Sequence, residues 1–369
     1  MPRLTVVLPV FNHERYVEAA LQSIFAQRYS DSEIIAVDDG STDRSLEILQ
    51  RYLGRIRILQ SPHSGPAAAR NRAIEAGDSE FVAFMDADDV SLPWRFSIQI
   101  QKLEFEKLDF VASELSFIDS AGASLPGAWR CPPHADRDYW GALLERNWIG
   151  TPSVMLRRGV FEWSGLFDES FTHAEDYDLW LRIARSANVG YVDAPLVQCR
   201  RHSSNTSGNI ESHQFFEKRA LQKVDAGDAW MAFDRLHPCH RDREEAWIWF
   251  LLRSGNPAFD TEVHRAIQIL PDSHGLHFAL GVFLCQEGRY DEACGVFGPL
   301  RTQDAASLNN FAVASAAQGR SNLALTNLEE AIQLCPDYHD ARHNLKAVRE
   351  RGKLRLTCRP FRQQLVPMV

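Results

Sequence analysis

Residues 81–90 read FVAFMDADDV, an apolar run that stops abruptly at three carboxylates, Asp86, Asp88 and Asp89. Phe81, Val82, Ala83 and Phe84 suit a strand covered on both faces, where no solvent side enforces polar alternation. Acids at the C-terminal end of such a strand sit where open α/β sheets take their ligands. Two aspartates one small residue apart can share a hard divalent cation, which prefers oxygen ligands and bridges to a diphosphate. The same residues fit a solvated turn leading into a helix, with Ser91 as cap and Pro93 in the first turn.

Working outward, strand and helix signals alternate up to about residue 205. Residues 4–10, 33–39, 55–60, 80–86 and 109–118 read as strands, and 14–27, 43–52, 66–76 and 93–107 as helices. That repetition predicts an α/β domain with a mostly parallel sheet flanked by helices, and it gathers several polar loops at one sheet edge. The balance of 40 Lys and Arg against 49 Asp and Glu gives a net charge of −9, which argues against a general nucleic-acid binder. Seven cysteines are scattered without a CxxC pair, as expected for reduced thiols. The N-terminus shows no signal peptide and the chain no 18-residue apolar run. A cytoplasmic protein is expected, with peripheral attachment at the inner face of a membrane compatible with the same features.

From about residue 240 the strand signals end. Three segments match at a spacing of about 31–34 residues, with Gly255, Gly288 and Gly319 at the turns. Ala293 and Ala324 follow at a small-residue position that Phe259 takes in the first segment. Ala266 and Ala331 recur, and Pro271 and Pro336 close two of the three. These segments resemble tetratricopeptide repeats, two-helix units that stack into a solenoid with a concave face for a protein partner. A plain helical bundle is the alternative. The expected organisation is a domain at 1–208, a helical linker at 209–239 and helical repeats at 240–369.

Four patches join the opening motif. PVFNHERYV (9–17) follows the first strand and carries Pro9, Val10, Asn12 and Glu14. VDDGSTDRS (37–45) ends a strand in Asp38 and Asp39; Asp43 or Thr42 can cap the next helix, which accounts for one acid and not for three. GPAAARNRA (65–73) brings Arg70 near a helix N-terminus, a natural place for an anion. SFTHAEDYDLWLRIA (170–184) sets Glu175 and Asp176 in a first turn, where the helix dipole favours acids and where a general base could also stand.

Taken in order, these stretches resemble family 2 glycosyltransferases of the nucleotide-sugar-binding GT-A type, over about residues 3–205. The resemblance implies an α/β GT-A fold, a nucleotide-sugar donor, most commonly a uridine diphosphate sugar, and inverting transfer of a hexosyl or related group. It implies a donor-nucleotide site of Pro9, Val10, Asn12, Glu14, Asp38, Asp39, Arg70, Asp86 and Ala87, with Asp39 at the uracil or ribose. It places Mn²⁺ or Mg²⁺ on Asp86 and Asp88, Asp88 being the expected direct ligand, with His202 of the loop after the last strand beside them. Asp176, next to Glu175, is implied as the catalytic base. The acceptor is left open among glycan, lipid-linked and protein hydroxyls. Trp140, Trp148 and Trp163 are expected along the acceptor side, or in the core. Two other readings compete: a catalytically degenerate transferase serving as a repeat scaffold, and a sugar nucleotidylyltransferase. The latter ordinarily carries an early glycine-rich loop with a basic residue, which LPVFNHERYV lacks.

Overall fold

The computed structural model describes residues 2–203, 205, 210–302 and 304–358. The chain divides into two compact units, meeting in sequence between Leu236 and His237.

In the first unit the elements run β1 (Leu4–Val10), α1 (Val17–Phe25), β2 (Ser32–Asp38), α2 (Ser45–Gln50), β3 (Arg57–Gln60) and α3 (Pro66–Ala76). Then come β4 (Phe81–Phe84), β5 (Val90–Ser91), α4 (Arg95–Phe105), β6 (Phe110–Ile118), β7 (Ser124–Trp129), α5 (Tyr139–Glu145) and β8 (Met155–Arg157). The unit closes with α6 (Val160–Ser164), α7 (Glu175–Ala184), β9 (Val189–Arg200), α8 (Ile210–Leu221) and α9 (Ala226–Leu236). One sheet runs β3-β2-β1-β4-β8-β6-β9-β5, with β7 paired to β6. β3, β2, β1 and β4 are parallel neighbours. β8 runs antiparallel to both β4 and β6, and β9 lies parallel to β6. This is the mixed, mostly parallel sheet with flanking helices that the alternating signals predict.

Both faces of the central strands are dry, which is why they read as continuous apolar runs. Leu4, Val6, Val7 and Leu8 of β1 and all four residues of β4 are fully buried. On one face Val17, Leu21 and Ile24 of α1 and Phe96, Ile100 and Leu103 of α4 pack with Leu4, Val6, Phe81 and Ala83. Each such aliphatic or aromatic side chain contributes about 1.5–3 kcal/mol when taken from water. The core therefore fixes where the strands end, and the strand ends carry the acids. Met85 N donates to Val7 O at 3.0 Å and Asp39 N to Val10 O at 2.8 Å, so the loops after β4, β2 and β1 share one edge.

Local details depart from the sequence reading. Val90 and Ser91 form a short strand antiparallel to Val197 and Gln198 of β9, so Ser91 does not cap α4. Here pairing with an approaching strand outweighs local capping propensity. The fully buried Arg95 at the start of α4 donates to Phe84 O at 2.9 Å and Val154 O at 3.1 Å, bracing the end of β4. The stretch expected as a linker contains α8 and α9, which pack on α7 and α5 within the first unit. Lys223, in the turn after α8, reaches Asp178 of α7 at 2.7 Å and Asp168 at 2.9 Å. The expected boundary at 208/209 lies outside the described residues.

The second unit is helical: α10 (His240–Ser254), α11 (Phe259–Ile269), α12 (His274–Gln286), α13 (Tyr290–Leu300), α14 (Ala305–Ala317), α15 (Ser321–Leu334) and α16 (His339–Glu350). Successive helices pack as hairpins, and α10, α12, α14 and α16 also pack in sequence along one side. Gly255, Gly288 and Gly319 adopt φ of +66°, +73° and +78° where a first helix turns into its partner, a conformation that penalises any Cβ. Among the described residues no helix is long and apolar enough to cross a membrane.

Candidate active site

Arg70 is the hub. Its guanidinium is buried and bridges two elements, Nη2 donating to Asp86 Oδ1 at 2.9 Å and Nη1 to Glu175 Oε1 at 2.6 Å. Gly65, at φ +93°, and Pro66 at the first helical position turn the chain into α3 and aim Arg70 at the end of β4. One side chain thus ties the acidic turn after β4 to the N-terminus of α7. Burial works against the Arg70 cation, yet the Asp86 and Glu175 carboxylates hold its pKa above the ordinary value. Asp86 itself is pushed up, chiefly by burial and then, against the pull of Arg70, by the Asp88 charge.

Asp88 faces the other way. His202 Nε2 lies 3.0 Å from Asp88 Oδ2, and Asn205 Nδ2 donates to the same oxygen at 3.3 Å. Burial raises the Asp88 pKa, but the His202 hydrogen bond and the nearby His13 outweigh it and leave the carboxyl below its usual range. His202 is buried and stacks on Tyr16 at 4.9 Å. Arg200 donates through Nε to Asp88 O at 2.7 Å, and its backbone N–H donates to Asp89 Oδ1 at 2.8 Å. The end of β9 is therefore stitched to the acidic turn. Among the described residues Asp86, turned to Arg70, does not gather with Asp88 and His202 into one compact ligand set.

The loops after β1 and β2 are stitched in the same fashion. Asn12 Oδ1 accepts from Thr42 N at 2.8 Å, and Glu14 Oε2 accepts from Arg44 N at 3.0 Å. Asp43 accepts from Glu14 N and from Ser45 N, both at 2.9 Å, but it stands one residue before the N-cap of α2, which is Arg44 and not the expected Thr42 or Asp43. Asp39 is engaged by its own surroundings, accepting from Ser64 N at 2.9 Å and Gly65 N at 2.8 Å in front of α3. His63, stacked on Phe11 at 3.9 Å, brings Nδ1 within 2.9 Å of Asp39 Oδ2. Asp38 Oδ1, by contrast, is buried without a hydrogen-bond partner among the described residues. Pro9 and Val10 lie within β1; Val10 is core and offers only its carbonyl, as Ala87 is core within the acidic turn. A polar cleft of about 340 Å³ opens here, lined by residues 12–16, Asp43, Ser120, His202 and Ser203.

Asp176 stands at the first turn of α7, beyond Ala174 in the left-handed region at φ +55°. Its Oδ1 accepts from Tyr177 N at 2.6 Å and its Oδ2 from Thr151 Oγ1 at 2.9 Å. Burial, and next the Glu175 carboxylate, raise its pKa to about 6. Of the two neighbouring acids, Asp176 keeps part of its surface open, while Glu175 is buried and spends its carboxylate on Arg70.

Tyr16, Arg200 and Asn205 belong to this constellation without having been read as part of it, and Thr151, expected with Gly150 and Pro152 on the acceptor side, meets the Asp176 carboxylate. Thr151 lies in the Gly150–Pro152 segment, and nothing local marks its bond to a carboxylate 25 residues away. Two expected acceptor-side tryptophans are core. Trp148 is 2% exposed, and the buried Trp140 donates Nε1–H to Leu181 O at 3.0 Å. Of the three, Trp163, on α6, is the one exposed to solvent.

The model of the family described as glycosyl transferase family 2 matches residues 5–160. The UDP-Glc:alpha-D-GlcNAc-diphosphoundecaprenol beta-1,3-glucosyltransferase WfgD of Escherichia coli is 27% identical over 216 residues, 58% of this chain and 81% of that protein. The enzyme of the same description, WfaP of Escherichia coli, is 29% identical over 232 residues, 61% of this chain and 87% of its own. Among solved structures, S. aureus TarS 1-349 in complex with UDP-GlcNAc superposes with a TM-score of 0.53 at 16% identity, covering 96% of this chain and 93% of that one. That last likeness is one of fold.

Proposed function

We propose that this chain, whose residues 5–160 match the model of glycosyl transferase family 2, transfers a glucosyl or related hexosyl group from a uridine diphosphate sugar to a lipid-linked acceptor hydroxyl, with inversion. The donor and acceptor classes follow the relatives, whose names specify UDP-Glc and a diphosphoundecaprenol acceptor. One observation carries the assignment of roles: Arg70 joins Asp86 and Glu175 through a single guanidinium, so the acidic turn and Asp176 flank one site.

The uracil would enter beside Asp38 and Asp39, where Asp38 Oδ1 is an acceptor still to be satisfied. Asp88 would supply the carboxylate oxygen that suits Mn²⁺ or Mg²⁺, with His202 orienting it at 3.0 Å, while Asp86 stays engaged by Arg70. When bound, that cation supplies Lewis-acid neutralisation of the charge on the departing diphosphate. Arg70 holds the acidic turn, and Thr151 fixes the carboxylate plane of Asp176. Asp176 then removes the proton of the acceptor hydroxyl as it attacks the anomeric carbon from the face opposite the leaving group. A single displacement asks for one base and no enzyme nucleophile, in contrast to the paired carboxylates of retaining glycoside hydrolysis. The helices after His237 read as tetratricopeptide-like units, a surface for a protein partner, and a lipid-linked acceptor brings the catalytic half to a membrane face.

A base with a pKa near 6 is active only when ionised, so transfer is expected to rise as pH passes through about 6 and to level off above it. A kcat profile flat between about pH 5 and 8 contradicts that. The donor assignment is tested by thermal shift and nucleotide release across a panel of nucleotide sugars with Mn²⁺. UDP-glucose, or another UDP sugar, should raise the melting temperature and release UDP when acceptor is added. Response to guanosine- or cytidine-linked donors alone overturns the donor class, and complete absence of nucleotide release with every donor supports a degenerate scaffold.

A further inference from the structure

Three fully buried asparagines stand together in the C-terminal unit: Asn309 and Asn310 on α14 and Asn344 on α16. An asparagine in a helix interior is costly unless its amide is satisfied on both sides, and here the partner is an extended stretch of backbone. Arg355 N donates to Asn344 Oδ1 at 2.7 Å, and Asn344 Nδ2 returns a bond to Arg355 O at 2.7 Å. Two residues on, Thr357 N donates to Asn310 Oδ1 and Asn310 Nδ2 to Thr357 O, both at 2.9 Å. Asn309 orients the pair, accepting from Asn344 Nδ2 at 2.9 Å and donating to Asn310 Oδ1 at 3.2 Å. Two primary amides thus read the N–H and C=O of alternate residues, the repeat of an extended chain.

Among the described contacts two side chains join the backbone pairing, Thr357 and Arg355, whose Nη1 lies 3.0 Å from His339 Nε2. Leu354 and Leu356 are only half-buried, so hydrophobic burial does not define the segment. The Thr357 side chain is fully buried: its Oγ1 donates to Asp340 Oδ2 at 2.8 Å, accepts from Asn309 Nδ2 at 3.1 Å and contacts Tyr338 Oη. That pocket fits a hydroxyl and has no room for a group attached to it.

We propose that the α14–α16 groove is a binding site for an extended polypeptide carrying an unmodified Ser or Thr, and that residues 353–358 occupy it as a built-in, displaceable ligand. The backbone clamps accept any extended sequence, and the Asp340–Tyr338–Asn309 pocket sets the register by its hydroxyl. An outside segment of this kind competes with a tethered one, whose effective concentration is of the order of millimolar.

The test uses the full chain. In an Arg355→Pro, Thr357→Pro variant the tail loses both clamped N–H groups while every groove residue is kept. A fluorescent peptide of sequence KLRLTS is expected to bind this variant, and the unaltered chain at least about tenfold more weakly. Alanine in place of the peptide threonine, or N-methylation at the positions of Arg355 and Thr357, should each weaken binding by about tenfold or more. N-methylation at the position of Leu356 should leave it unchanged. In the unaltered chain, peptide at several millimolar should speed amide exchange at Arg355 and Thr357, and the alanine peptide should not. Equal binding of the alanine or N-methyl peptides overturns the proposal. So does unchanged exchange in the unaltered chain, which holds even where the proline variant folds poorly.

Discussion

Replacing Asp176 with Asn is expected to lower turnover by about 10²–10⁴-fold, the span a positioned general base contributes, with nucleotide affinity unchanged. The substitution is nearly isosteric. Tyr177 N can still donate to the remaining amide oxygen, and the Thr151 hydroxyl, which now donates to Oδ2 at 2.9 Å, can rotate to accept from the new amide. The site therefore keeps its shape and loses only proton affinity. Single-turnover transfer alongside UDP binding separates the two effects. The Glu175→Gln variant is the control, because its side chain spends an oxygen on Arg70 and should alter stability more than the chemical step. Near-normal turnover by the Asp176→Asn enzyme assigns the base to another residue.

The second large effect is structural. Arg70→Met is expected to destabilise the N-terminal unit by about 3–5 kcal/mol, the cost of leaving a buried ion pair without one partner. Here two carboxylates are stranded at once, Asp86 and Glu175. Arg70→Lys should recover only part of the loss, since one ammonium cannot reproduce two bonds made by separate nitrogens of a planar fork. Adding Glu175→Gln to Arg70→Met should relieve part of the deficit by removing a stranded charge. Denaturant unfolding monitored on the N-terminal unit reads all three. A loss below about 1 kcal/mol is the behaviour of a solvent-screened pair and contradicts the picture of a buried clamp.

What the sequence made legible follows from physical range. The β1, β2 and β4 runs were readable because burial on both faces writes itself as consecutive apolar residues. Their acids were readable because a strand end is local. Pairings that hold the site together are not local: Arg70 meets Glu175 across 105 positions and His202 meets Asp88 across 114. Only topology, with β9 arriving beside β5 and α7 facing α3, brings them together. The same reason explains Val90 and Ser91, read as a helix entry and claimed by β9. Asp38 and Asp39 were separable only in three dimensions, where the loop before α3 engages one and leaves an oxygen of the other unsatisfied. Trp140 and Trp148 show the opposite limit, since an indole reads alike whether it lines a sugar site or fills a core.

The most direct measurement is the electron paramagnetic resonance of Mn²⁺ titrated into the protein with and without UDP, in the unaltered chain and in Asp88→Ala. Free Mn²⁺ signal should fall when UDP and the unaltered chain are both present, beyond what UDP alone removes. The Asp88→Ala chain should leave that signal at the level set by UDP alone. Equal Mn²⁺ uptake by both chains, or none by either, contradicts an acidic turn that holds a cation against the donor diphosphate.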